Sequence, residues 1–68
     1  MSFPERLKQL RIESNFMQKQ IAEILGVSVR MVQRYERGDI EPNIEKLILL
    51  ANLFNVSVDY LICRKESL

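Results

Sequence analysis

Five residues between positions 29 and 37 carry the side chains best suited to recognition chemistry. Val29, Arg30, Gln33, Arg34 and Arg37 fall on the side of an expected helix that its inward residues, Val32 and Tyr35, leave free. A guanidinium presents a planar fork of donors that matches a phosphate or the O6 and N7 edge of guanine. A glutamine amide donates and accepts at once, so Gln33 can read adenine or serve as a bridge. Val29 has no polar group, and its natural contact is a thymine methyl. A helix that spends its outer face on Arg and Gln fits a polar, negative partner. Double-stranded DNA is the leading candidate, and an ordinary solvated face is the competing reading.

The elements that must hold this face are legible in the pattern. Gln18 to Leu25 reads as a short helix with Ile21, Ala22 and Leu25 inward, where the small Ala22 lets the next helix approach. Gly26 ends it with φ > 0. Ser28 is the N-cap of the next helix, Val27 and Val32 can form a hydrophobic staple, and Gly38 closes it. Met31 sits at the boundary between core and partner.

The flanks give three more helices. Ser2, Pro4 and Glu5 suit a capping box, and Phe3, Leu7, Leu10 and Ser14 share a face of a first helix that ends at Asn15. Asp39 to Pro42 is a loop. Asn43 caps a fourth helix whose expected core stripe is Ile44, Leu47, Ile48, Ala51 and Phe54, and Asn55 ends it. Val56 and Ser57 repeat the staple and cap, with Leu61 as staple partner, before a fifth helix over Val58 to Cys63. The expectation is all-α: one compact five-helix domain over residues 1–68, with a recognisable core at 3–63 and a frayed tail at 64–68.

Composition narrows the function. The chain has 68 residues, 47% of them apolar and 28% charged, which is globular rather than disordered. One Cys and no His leave no internal disulfide and too few ligands for structural zinc. Cys63 reads as a small apolar filler. No cofactor, metal site or small-molecule effector is implied. An enzyme is remote, since neither a base partner for Cys63, nor a phosphate loop, nor a catalytic carboxylate pair is evident. Without disulfides, a leader or an 18-residue apolar stretch, a cytoplasmic protein is expected, with no membrane partner. The net charge is only +1, but residues 1–38 carry seven Lys/Arg against four Asp/Glu, while residues 39–68 carry three against five. The positive footprint is therefore local to the half that holds the outward row.

The pattern Q-x-x-I-A-x-x-L-G-V-S-x-x-x-V-x-x-Y-E-x-G from Gln18 to Gly38 resembles the helix-turn-helix of the lambda-repressor/Cro type, also called XRE-like. The resemblance continues through Pro42-Asn43 and Leu47 to Asn55-Val56-Ser57-Val58-Asp59-Tyr60-Leu61, nearly the whole chain. It implies that the second and third helices straddle DNA, with the third in the major groove. It implies that Val29, Arg30, Gln33 and Arg34 face bases or nearby phosphates, and that Gln18 contacts phosphate and braces the recognition helix. Arg37 and the loop to Asn43 would meet the DNA backbone, and Arg11 with Glu36 would form an ion pair tying the first helix to the third. Physically, Val29, Arg30 and Gln33 suit base contacts, while Lys19, Arg34 and Arg37 suit phosphates. One departure stands out. Met17 replaces the usual capping residue before Gln18, at a cost of about 1 kcal/mol unless Asn15 or a bound phosphate supplies the acceptor.

A second surface is expected on the fourth and fifth helices. Leu49 and Leu53 fall together, opposite Leu47 and Ala51, and Tyr60 and Ile62 add apolar area. Scattered surface leucines are the plain reading; a homodimer interface is the sharper one. A dimer would bind a near-palindromic operator. The resulting expectation is a sequence-specific transcriptional regulator, a repressor before an activator, on the nucleoid when bound. An antitoxin or a restriction-modification controller could carry the same domain, as could a protein-interaction module that has lost DNA binding.

Overall fold

Ser2 and Asn43 begin their helices in the extended conformation usual for N-cap residues. The computed structural model describes residues 1–66. Its helices are α1 (Phe3–Glu13), α2 (Gln18–Leu25), α3 (Val29–Arg37), α4 (Ile44–Phe54) and α5 (Val58–Leu61), with no strand among the described residues. Ser28, Asn43 and Ser57 each accept a hydrogen bond from the backbone N–H three residues on, at 3.1, 2.9 and 3.0 Å. Gly26 (φ 70), Gly38 (φ 83) and Asn55 (φ 56) end α2, α3 and α4 in the left-handed conformation.

The core is built from Leu7 and Leu10 of α1, Ile21, Ala22 and Leu25 of α2, Val32 and Tyr35 of α3, Leu50 and Ala51 of α4, and Leu61 of α5. Val27 and Val56, the expected staple residues, are half-buried and packed against this core. Phe16 and Phe54 meet edge to face with centroids 6.3 Å apart, closing the α1–α2 turn onto the end of α4. α3 packs against α1 and α2, α4 against α2 and α5, and α5 returns to α1. The outward row of α3 thus sits on a helix supported from two sides.

Several expectations need correction. The inward face of α4 is Leu47, Leu50, Ala51 and Phe54, whereas Ile44 (74% exposed) and Ile48 (46%) lie outside it. At about 100° per residue these isoleucines form one flank of the buried stripe, and Leu49 and Leu53 the other. A helix with apolar residues on three sides does not declare its inward side. Ser14 is the exposed C-cap of α1 rather than part of its inward face, and Asn15 supplies the left-handed turn (φ 61). Ser2 forms half a capping box: its backbone N–H and its hydroxyl both donate to Glu5 Oε1, at 3.1 and 2.9 Å. α5 stops at Leu61, and Cys63 is a half-buried left-handed residue (φ 66) beyond its end. Of the expected tail, residues 67 and 68 lie outside the described residues, while Glu66 reaches back to Arg6.

Arg6 is a buried residue the sequence did not single out. At 3% exposure, its guanidinium stacks 3.8 Å from the Tyr60 ring centre. Its Nη1 donates to the Tyr60 carbonyl at 2.9 Å and its Nη2 to Glu66 at 3.2 Å. The charge is stacked on one face and hydrogen-bonded through Nη1 and Nη2, which offsets the cost of burying it.

Candidate nucleic-acid interface

The outward row rests on a polar network at the junction of α1, α2 and α3. Arg11 grips Glu36 with both prongs of its fork, Nε to Oε2 at 2.6 Å and Nη2 to Oε1 at 3.1 Å. Its remaining nitrogen donates to the Phe16 carbonyl at 3.0 Å. The two side chains are 13% and 5% exposed. Burial removes the screening that makes surface ion pairs weak, and the fork geometry fixes the end of α3 against α1.

Glu36 has a second visitor. Gln18 Nε2 donates to Glu36 Oε1 at 3.1 Å, and Gln18 Oε1 accepts from Gln33 Nε2 at 3.4 Å. The order is therefore ion pair, Gln18, Gln33, from interior to surface. Because Glu36 only accepts, it fixes which end of the Gln18 amide points inward. That in turn leaves Gln33 tied by its nitrogen, with its oxygen and second N–H unspent.

The remaining residues separate by exposure. Val29, Arg30, Gln33, Arg37 and Lys19 are exposed, while Gln18 and Arg34 are half-buried. Arg37 pairs with Asp39, just past Gly38. Asn43 is exposed and commits its Oδ1 to the Lys46 N–H, leaving its NH2 group as the donor. Met31 is half-buried against the core. Gln20, three residues into α2, accepts from the Met17 N–H at 2.8 Å, so a side chain inside the helix does part of the missing capping. Lys8 is an addition: it lines a shallow groove with Gln18, Gln33, Glu36 and Arg37. Its signal was its spacing, three residues before Arg11 and so on the same side of α1.

On the second surface, Leu49 (44%) and Ile62 (38%) are exposed. Leu53 and Tyr60 are half-buried against the core. Among the described residues, no cluster of His, Cys, Asp and Glu could hold a metal ion, and no helix is long and apolar enough to cross a membrane.

This architecture defines a five-helix domain with a helix-turn-helix at its second and third helices and a basic, amide-bearing outer face. A family model described as Helix-turn-helix matches residues 7–61, and the chain belongs to that family. It is 39% identical over 66 residues to the HTH-type transcriptional regulator ImmR of Bacillus subtilis, covering 97% of this chain and 52% of ImmR. A transcriptional regulator from Listeria innocua superposes with a TM-score of 0.89 at 41% identity, covering 97% of this chain and 62% of that one. The P22 c2 repressor, solved in complex with a synthetic operator, superposes with a TM-score of 0.84 at 31% identity, covering 91% of this chain and 94% of the repressor. The chain spans about half the length, or less, of the first curated relatives it matches.

Proposed function

We propose that this domain binds double-stranded DNA by sequence and regulates transcription, as a repressor that occupies its operator. The observation that carries the reading is the outward row of α3, seated on the buried Arg11–Glu36–Gln18 network. α3 enters the major groove. Val29, Arg30 and Gln33 meet base edges, with Arg30 on guanine and Gln33 on adenine through its unspent oxygen and N–H. Gln18, Lys19, Arg34, Arg37 and Asn43 hold phosphates, and the first amides of α2 add donors that no helical carbonyl can satisfy. The resemblance to regulators, one of them solved on an operator, supports the same placement.

One domain, 29 Å in its longest dimension, reads one short half-site. A homodimer through exposed apolar residues of α4 and the end of α5, Leu49 and Ile62 among them, would place two copies of α3 roughly 34–36 Å apart, one turn of DNA. It would act in the cytoplasm, on the nucleoid.

Selection of bound duplexes from a random pool tests the proposal. The expected product is a motif of two inverted half-sites about one helical turn apart. Arg30→Ala should flatten the preference at one base position and leave the others. A pool that enriches no motif sinks the DNA reading. A monomer at high micromolar concentration in analytical ultracentrifugation, with Leu49→Glu neutral for operator binding, sinks the dimer.

A further inference from the structure

Arg37 is the last residue of α3, and its charge is already answered. Its Nε donates to Asp39 Oδ2 at 3.1 Å, and its Nη2 lies 3.1 Å from the same oxygen. The Nε–Nη2 edge is one of those a guanidinium uses to clasp a phosphate. The placement is built into the end of the helix. Gly38 turns the chain in the left-handed conformation, and the Asp39 N–H donates to the Arg34 carbonyl at 3.0 Å. That bond pins the backbone of Asp39, which leaves its carboxylate beside Arg37. Both side chains remain open to water, at 61% and 48%. The pair is therefore weak enough to be opened by a competing anion.

The acid within α3, Glu36, is spent internally on Arg11 and Gln18. Asp39 alone among these acids answers a cation of the outward row. We infer that Asp39 is an affinity-setting residue: it competes with DNA phosphate for Arg37 and holds binding to every duplex below what the outward row could deliver. The inference rests on the DNA reading above. Because phosphates are the same in every sequence, the competition weakens all duplexes alike and leaves base preference untouched.

The test compares the full chain, Asp39→Asn, Asp39→Ala, Arg37→Ala and Arg37→Ala/Asp39→Ala. Each is titrated with the selected operator and with a scrambled duplex at several salt concentrations. Both Asp39 variants should bind both duplexes more tightly by about two- to fivefold, the scale of one exposed ion pair. Their salt slope should steepen by at most about 0.9, the value for one phosphate, because Arg37 already shares its time between Asp39 and the phosphate in the unsubstituted complex. In the Arg37→Ala background, removing Asp39 should change nothing. Three results overturn the inference: unchanged affinity and slope in both Asp39 variants; a gain for the operator alone; or the same gain without Arg37, which would mean plain repulsion between Asp39 and DNA. Failure of the unsubstituted chain to bind any duplex is separately visible, and it overturns the DNA reading and this inference together.

Discussion

Replacing Glu36 by Leu takes away the acid that Arg11 holds with two of its three guanidinium nitrogens. Arg11 is 13% exposed and cannot swing fully into water without giving up its bond to the Phe16 carbonyl. Breaking one side of a buried pair costs about 3–5 kcal/mol. The residual exposure of Arg11 puts this site at the lower end, about 3 kcal/mol. Domains hold roughly 0.05–0.15 kcal/mol per residue, so a chain of this length has about 3–10 kcal/mol in all. The loss should lower Tm by about 12–24 °C, at about 4–8 °C per kcal/mol for a domain of this size. Arg11→Met should cost nearly as much, because Glu36 keeps only Gln18. The double variant Arg11→Met/Glu36→Leu should recover most of the loss, since well-packed apolar groups replace a buried pair at little cost. Thermal and urea unfolding of the four proteins by circular dichroism closes the cycle, with an expected coupling above about 2 kcal/mol. Single variants that melt within about 4 °C of the parent, or a double variant that is merely additive, would refute the reasoning.

Other outcomes follow from the helix ends. Met17→Thr adds the oxygen that α2 lacks and should raise stability by about 1 kcal/mol, read as a higher Tm. Gly26→Ala meets open space but keeps φ at +70, and should cost about 1 kcal/mol. Gly38→Ala faces the same backbone strain and also brings its Cβ within 3.2 Å of Pro4 Cγ, so it should melt lower than Gly26→Ala. The Ser2 backbone N–H, with the Ser2 hydroxyl second, holds the Glu5 carboxyl below its ordinary value of 4.5. Its stabilising effect is complete above that value and is lost as pH falls through the lower folded value. A carbon-13 titration should show the Glu5 midpoint below 4.5. Glu5→Gln should abolish that part of the acid dependence of Tm.

Features carried by one residue and its near neighbours were legible in the sequence. Ser28, Asn43 and Ser57 announce helix starts because a short side-chain oxygen has few other uses before an apolar run. Gly26 and Gly38 announce helix ends for the same kind of local reason. The choice among apolar residues in Ile44-Glu45-Lys46-Leu47-Ile48-Leu49-Leu50-Ala51 was not local. Only the position of α2 and α5 makes Leu50 the buried one and leaves Ile44 outside. The site divides in the same way. The outward row of α3 was visible as a pattern, whereas Lys8 joined it only once α1 was packed. The inward amide of Gln18, the rescue of Met17 by Gln20 and the clasp of Asp39 on Arg37 are matters of side-chain direction, which spacing does not encode.

Arg6 has a consequence for how the domain is made. It joins position 6 to positions 60 and 66, so these partners are synthesised more than fifty residues after it. Chains emerge from the ribosome at about 5–20 residues per second, so roughly 1–5 s separate the end of α3 from the arrival of Leu61. During that interval Leu7, Leu10 and Ile21 lack the Leu50, Ala51 and Leu61 side chains that complete their core. The buried guanidinium likewise waits in water for its aromatic and carbonyl partners. α2 and α3 can pair early, but closure of the first helix onto the last is a late event that spans nearly the whole chain. The nascent domain is thus most exposed to proteases and to aggregation after its recognition helix has been made and before its fifth helix appears.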